Sequence, residues 1–387
     1  MSHIFHITDD FSPESGVTGM VMDLTRYLVG QGWASTILTL AGGVSSGPAE
    51  VNLIKFPLVP GGVWRFPRGL KSYLQQLTRL DGPILHLHGI WMGFQWSAAR
   101  VALQQKTLIL LSPHGMLNNW HFRNRGFKEL RKLIYWRTVA YPAFEHISLI
   151  HAVTPRERDE LAHWFPGQTI RVIPNAIDLE AMDALLANAE EGSSPLIDEP
   201  YILFLGRLHP VKGLDLLIEA FAKCNREIKY KFRLLIVGPE SDPLYAAKLK
   251  SQVRLLGVEE KVSFLGPVFG PQEKLSLYRH AWAFCAPSQT EVMGLVNLEA
   301  ASAQLPVVTT HGTGLWDWEE GGGLLVHPQV EDLSRALKQV FSWSDRERRD
   351  RGQKLRQLVE RRYAWQAVGP QWLALYAGLT EARLRRV

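Results

Sequence analysis

The sequence predicts an α/β protein built from two doubly wound domains, and three observations carry that reading. Short apolar runs alternate with helix-period segments along nearly all of the 387 residues, the pattern of parallel strands buried between layers of helices. The alternation breaks once, at residues 190–200 (EEGSSPLIDEP), where Gly, Ser, Pro and acidic residues suit a linker. The length also suits two cores of roughly 180 residues better than one.

In the first half the expected strands are Ile4–Thr8, Thr36–Leu40, Ile84–His88, Thr107–Ser112, Ile147–Val153 and Ile170–Ile173, with helices such as Met20–Gln31, Phe94–Gln105 and Arg156–Trp164 between them. A further helical segment, Trp120–Tyr141, is amphipathic at 100° per residue. Arg125, Lys128, Arg131, Lys132, Tyr135 and Trp136 share one arc, and Phe127, Leu130 and Ile134 share the other. The apolar arc is expected to pack on the domain, leaving a face of cations and aromatic rings suited to an anionic membrane surface. After the linker the alternation restarts with Tyr201–Leu205, Leu214–Ala222, Phe232–Val237, Leu244–Leu256, Val262–Leu265, Glu273–Arg279, Ala283–Ala286, Leu295–Ala303 and Val307–Thr309. Charged residues from Asp345 to Arg362, then Trp365, Trp372, Leu373 and Tyr376, read as two final helices.

The composition narrows the compartment and the partners. No apolar run is long enough to span a bilayer, and the N-terminus (Met1 to His6, then Asp9 and Asp10) has no signal-peptide pattern. Cys224 and Cys285 sit in separate apolar stretches, which fits a reduced interior, so a cytoplasmic protein is expected. A net charge of +5 does not demand nucleic acid as a partner.

Two segments of the second half carry the strongest chemical signal. In PSQTEVMGLVNLEAASAQLPVV (Pro287–Val308), Glu291 and Glu299 are separated by seven residues across a loop-to-helix junction. A helix opening at Gly294 would point the N–H groups of Gly294, Leu295 and Val296 at an anion such as a diphosphate. Eight residues of helical rise cover roughly 12 Å, so the two carboxylates would address opposite ends of an extended ligand. In FLGRLHPVKGLDLLIEAF (Phe204–Phe221) a strand ends in Gly206, Arg207 occupies the tip, and Lys212-Gly213 opens the next helix. Both cations then lie where open α/β sheets bind ligands, and a nucleotide diphosphate needs such neutralisation. No Asp-x-Asp occurs, which removes the usual carboxylate pair for a divalent ion on a sugar diphosphate. No metal and no cofactor are therefore expected.

The first half contributes three weaker features. Ser15-Gly16 precedes a helix, where Gly admits close approach of a phosphate. His86 and His88 fall on one strand face, a conceivable zinc pair, but no third or fourth ligand stands at a supporting spacing. In SPHGML (Ser112–Leu117), His114-Gly115 turns off the end of a strand.

Together these motifs resemble the retaining family 4 glycosyltransferases over nearly the whole chain. TEVMGLVNLEA matches the family's paired-glutamate segment, GRLHPVKG its phosphate clamp, and VIPNAID (Val172–Asp178) the segment leading out of its first domain. The resemblance implies a GT-B fold, two Rossmann-like domains facing a cleft: an acceptor domain 1–189, a linker 190–200, a nucleotide-sugar domain 201–362, and a terminal helix 363–387 returning to the first domain. It assigns Glu299 to the ribose, Glu291 to the sugar hydroxyls, Arg207 and Lys212 to the diphosphate, and His114 to the donor sugar, with Gly206 beside the clamp and His86 and His88 as cleft lining. Ser15 stands where the family has a first glycine, and Val292-Met293 replaces its commoner Gly-Phe. The HGIW and SPHGML stretches look most like enzymes of bacterial surface polysaccharide synthesis acting on polyprenyl-linked or glycan acceptors.

Four other readings compete. A two-domain solute-binding protein would explain a hinge and cleft without catalysis, but it would be exported and has no reason to carry Arg207, Lys212 and two spaced glutamates. A GT-B epimerase or hydrolase would release nucleotide without an acceptor. A non-catalytic GT-B subunit would lack a donor-site charge, yet each expected charge is present. A dinucleotide dehydrogenase would carry Gly-x-Gly-x-x-Gly after a strand, and none occurs.

Overall fold

The computed structural model describes residues 2–12, 15–41, 51–60, 65–77, 82–118, 127–188, 197, 199–227, 232–268 and 270–384. The chain divides into two compact units, Met1–Ala176 with Val368–Val387, and Ile177–Ala367.

Among the described residues the first unit holds seven parallel strands: β1 (Ile4–Thr8), β2 (Ser35–Leu40), β3 (Asn52–Phe56), β4 (Ile84–His88), β5 (Leu108–Ser112), β6 (Leu149–Ala152) and β7 (Ile170–Val172), in spatial order β3-β2-β1-β4-β5-β6-β7. Its helices are α1 (Gly16–Gly30), α2 (Leu70–Leu77), α3 (Gly93–Gln104), α4 (Phe127–Tyr135), α5 (Tyr141–Phe144) and α6 (Pro155–Trp164), with a π-helical turn at Trp136–Ala140. The central strands are buried along their length because helices cover both faces.

After α7 (Leu179–Asn188), the described residues of the second unit carry six strands: β8 (Tyr201–Leu205), β9 (Arg233–Val237), β10 (Val262–Phe264), β11 (Ala283–Ala286), β12 (Val307–Thr310) and β13 (Leu324–Val326). They are parallel in the order β10-β9-β8-β11-β12-β13. Around them lie α8 (Leu214–Glu227), α9 (Pro243–Leu256), α10 (Pro271–His280), α11 (Leu295–Ser302), α12 (Val330–Ser342), α13 (Asp345–Arg362) and the first residues of α14 (Trp365–Leu384). Side-chain caps fix several helix starts: Asp242 accepts from Tyr245 N at 3.1 Å and Ser344 from Glu347 N at 3.2 Å.

The predicted α/β class and its two doubly wound sheets are present. Strands β3 and β13 and helices α2, α7 and α12 were not anticipated, being short or patterned only on one face. Residues 177–188, which fall inside the expected first domain, group with the second unit: Arg356 grips Asp183 of α7 through both guanidinium Nη atoms at 2.8–2.9 Å, and Ile177 bridges to Ala364. Of the expected linker, residues 190–196 and 198 lie outside the described residues. Helix α14 from Val368 onward groups with the first unit. Gly369 lets it approach α1, because a Cβ there would stand 2.0 Å from the Tyr27 ring. Cys224 and Cys285 are buried, and neither forms a disulfide. Among the described residues no helix is long and apolar enough to cross a membrane.

Candidate functional site

Strands β8 and β11 are sheet neighbours from which the chain departs to opposite sides, through β9 and β10 on one side and β12 and β13 on the other. Such a topological switch opens a crevice outside the strand ends, the usual ligand site of open α/β sheets. Here the loops after β8, β11 and β12 are knit together. Gln289 N donates to Val211 O (2.8 Å), Glu291 N to Gly312 O (2.7 Å) and Gly294 N to Thr313 O (3.2 Å). Two glycines permit the approach. Gly213 has φ +67°, and a Cβ there would stand 2.3 Å from Pro287 O; at Gly312 it would stand 2.5 Å from Gln289 O. Gly206 follows the end of β8, with its carbonyl against Gly238.

The charges of this crevice are arranged before any ligand arrives. Lys212 Nζ lies 2.8 Å from Glu291 Oε1, with both side chains largely buried, and the Ser288 hydroxyl donates to the same oxygen. Glu299 accepts from Tyr278 OH at 2.9 Å and meets Lys274 Nζ at 2.5 Å. Arg207, by contrast, is exposed and has no carboxylate partner among the described residues. The structure thus joins Lys212 and Glu291, which the sequence assigned to different parts of a ligand. Helix α11 starts at Leu295, so only four of the eight steps between the glutamates are helical and the helical share of the 12 Å estimate falls to about 6 Å. The Gly294 N–H, expected to face an anion, is consumed by Thr313, which leaves the amides of Leu295 and Val296 for that task. Ser288, Lys274 and Tyr278 were missed; the i,i+4 spacing of Lys274 and Tyr278 on α10 was the available signal.

The first unit has its own switch point, between β1 and β4. Ser15 caps α1 without a side-chain bond to it, and the space around Gly16 is open. Asp9 accepts from Gln95 Nε2 at 2.7 Å and from Arg65 Nη1 at 3.2 Å, while the buried Gln95 also donates to His88 O. The parallel register sets His6 of β1 opposite His86 of β4, a juxtaposition that no sequence spacing reveals. A nitrogen from each of His6, His86 and His88 lies within 4.8 Å of the others, so His6 supplies the third imidazole that the sequence lacked for a metal. Hydrogen bonds use most of these atoms. His6 Nδ1 meets His88 Nε2 (3.0 Å), His88 Nδ1 meets His114 Nε2 (3.0 Å), and His86 meets Tyr376 OH (2.8 Å) and Ser112 Oγ (2.7 Å), which also meets His151 Nδ1 (2.8 Å). Burial keeps these rings neutral. It pulls His6 down to about 3 and His151 to about 4; His114 falls to about 3 through burial and then the neighbouring His151, and His86 and His88 also lie well below the usual range.

His114 adopts φ +52° in a turn braced by Glu157, whose carboxylate accepts from Gly115 N at 2.5 Å and Val153 N at 2.7 Å. Burial lifts that carboxyl to about 7 against the pull of the two amides.

The amphipathic helix faces the opposite way from the expectation. Trp136 is buried among Trp91, Tyr141, Trp164 and Phe165, Tyr135 packs on the same core, and Lys132 lies over the Trp91 ring. Leu130 and Ile134 are instead 53% and 54% exposed. Burying the large rings removes more apolar area than burying Leu and Ile, so the aromatic arc takes the interior. Arg125 lies outside the described residues, as does the Lys128 side chain.

Comparison with known proteins places the chain. Residues 15–181 match the family model described as Glycosyltransferase Family 4, and residues 189–357 the model described as Glycosyl transferases group 1. D-inositol 3-phosphate glycosyltransferase of Nocardia farcinica is 34% identical over 189 residues, 46% of this chain and 41% of that protein. The uncharacterized glycosyltransferase MJ1607 of Methanocaldococcus jannaschii is 32% identical over 220 residues, 54% of each. The matched regions thus span about half or less of the curated relatives' length. Sucrose-phosphate synthase of Thermosynechococcus elongatus shares the fold with a TM-score of 0.72 at 22% identity, over 99% of this chain and 100% of that one. Anabaena Alr3699/HepE, solved with UDP and glucose, does so with 0.74 at 17%, over 98% and 100%. Two Rossmann-like sheets, and a family match in each half, show that the chain belongs to the family 4 glycosyltransferases of GT-B fold.

Proposed function

We propose that the chain transfers a hexose-type sugar from a nucleotide-sugar donor to a glycan or polyprenyl-linked acceptor, with retention of anomeric configuration and without a metal ion. The observation that carries this reading is Arg207, an exposed cation with no carboxylate partner among the described residues, on the same switch-point loop as Lys212. In this reading a donor diphosphate recruits Arg207, the Leu295 and Val296 amides and Lys212, which exchanges Glu291 for a phosphate oxygen. Glu291, released, accepts hydrogen bonds from the sugar hydroxyls, while Glu299, steadied by Tyr278 and Lys274, holds the ribose. Ser15 and Gly16 offer a further phosphate contact, and His114 meets the sugar. As the bond from the sugar C1 to the phosphate oxygen breaks, the cations stabilise the charge arriving on that oxygen. The same oxygen takes the proton of the acceptor hydroxyl, whose oxygen bonds to C1 on the same face.

A thermal-shift panel of nucleotide sugars identifies the donor, since a ligand at a hundredfold its Kd adds about 2.7 kcal/mol of stability. Transfer is then followed with an acceptor panel that includes inositol phosphate, named in one relative, beside glycan and polyprenyl-linked acceptors. The expected product keeps the donor's configuration and forms at an unchanged rate in EDTA. An inverted linkage by NMR, loss of activity in EDTA, or nucleotide release that ignores acceptor would overturn the respective part of the reading, the last in favour of an epimerase or hydrolase.

A role in bacterial surface polysaccharide synthesis, at the inner face of the cytoplasmic membrane, is the wider setting we propose. The outward Leu130, Leu133 and Ile134, flanked by the exposed Arg131 and Arg137, support a peripheral membrane contact in place of the aromatic face first expected. Anionic vesicles at low salt should co-sediment the protein, and L130E with I134E should release it. Unchanged binding by that double variant would exclude this face.

A further inference from the structure

Histidines 6, 88 and 114 form a chain in which each internal nitrogen is used. Both nitrogens of His88 are engaged, one by His6 Nδ1 and one by His114 Nε2, each at 3.0 Å. His6 Nε2 is buried without a partner, whereas His114 Nδ1, on a part-exposed ring, has no partner among the described residues but is not a buried orphan. A neutral imidazole has one N–H, so two such bonds in series must run in the same direction. If the protons sit on His88 Nε2 and His114 Nε2, then His6 must carry its own on Nε2, an N–H buried with no acceptor. If they run the other way, His6 donates from Nδ1 and leaves only a bare lone pair at Nε2. Orphaned buried N–H groups are the rarer and costlier of the two. The second arrangement therefore prevails, and it dictates the state of the last ring: His114 accepts at Nε2 and carries its proton on Nδ1.

We propose that His6 and His88 are positioning residues that lock His114 in its Nδ1–H tautomer, so that His114 meets the transferred sugar as a hydrogen-bond donor rather than as a base. The inference rests on the reading that His114 contacts the donor sugar. The backbone of the turn supports it independently, since Glu157 ties Gly115 N to the end of β6 and holds the His114 ring against His88. A metal ion shared by His6, His86 and His88 is the competing arrangement. Five of their six ring nitrogens already have a partner within 3.0 Å, and only His6 Nε2 stands free.

The test is nitrogen-15 NMR of the full chain labelled in histidine, which distinguishes the two tautomers of each ring. The expected spectrum shows His114 protonated at Nδ1, and H6F mixes its tautomers. In H6F, kcat should fall by about two- to tenfold, in proportion to the lost fraction of the competent tautomer, with the KM for donor and the affinity for free nucleoside diphosphate nearly unchanged. H6N, whose amide can donate from about the Nδ1 position, should restore much of both signals. His114 protonated at Nε2, or a stoichiometric divalent ion bound to the purified protein, would overturn the proposal. Normal transfer by H114A, with the tautomer as expected, would instead overturn only the contact between His114 and the sugar.

Discussion

The two switch points solve one problem in opposite ways. Both lie where strands of a doubly wound sheet part, yet the second unit lines its crevice with ions and the first with neutral imidazoles. Position explains the difference. Lys212, Glu291 and Glu299 stand beyond the strand ends, on loops and on α11, where each side chain keeps some exposure and each charge has an opposite partner. His6, His86 and His88 lie within the strands, where a charge would lose its hydration, so each ring is held neutral and hydrogen-bonded.

Acid should separate the two units most strongly. A histidine held below its unfolded value of 6.5 contributes stability that is complete above pH 6.5 and is lost as the pH falls toward its folded value near 3 or 4. Glu157, lifted from 4.5 to about 7, acts in the opposite sense, adding stability as the pH falls through 7. Five imidazoles outweigh one carboxyl, so the first unit should lose stability as the pH falls from 6.5 to 5. Calorimetry at the two pH values should show the first unit's transition moving down while the second unit's holds. Equal movement of both would remove the contrast.

Replacing Arg207 by Ala should raise the transfer barrier by about 2–4 kcal/mol while leaving the melting temperature nearly unchanged, because the side chain is exposed and has no ion-pair partner among the described residues. A shared loss of stability would mean that Arg207 supports the fold. Gly213→Ala tests the knitting of the loops. Its φ of +67° and the nearby Pro287 carbonyl should cost the second unit about 2 kcal/mol, read by urea unfolding, with the first unit unaffected. The smallest effect belongs to Tyr278→Phe, which removes one of the two contacts holding Glu299 and should weaken nucleotide binding by about 1 kcal/mol, measured by calorimetric titration.

Much of this was legible in the residues. Apolar runs such as Ile84–His88 and Tyr201–Leu205 announced buried parallel strands, because a strand covered on both faces needs apolar residues throughout. The paired glutamates and the Gly206 to Gly213 segment stood out because loop geometry and charge are written locally. Strands β3 and β13 left too faint a pattern, and the helix before residue 141 was turned the wrong way, since periodicity separates two faces without saying which one the core prefers.

By itself the sequence determined the α/β class, the restart of the pattern after residue 200 and the residue types at the second switch point, all properties of short stretches of chain. Tertiary structure alone decided that Lys212 pairs with Glu291 across 79 positions, that Tyr278 and Lys274 brace Glu299, and that His6 closes a histidine chain 82 positions from its partner. Those pairings depend on strand order and register, and neither is fixed until the sheets have assembled.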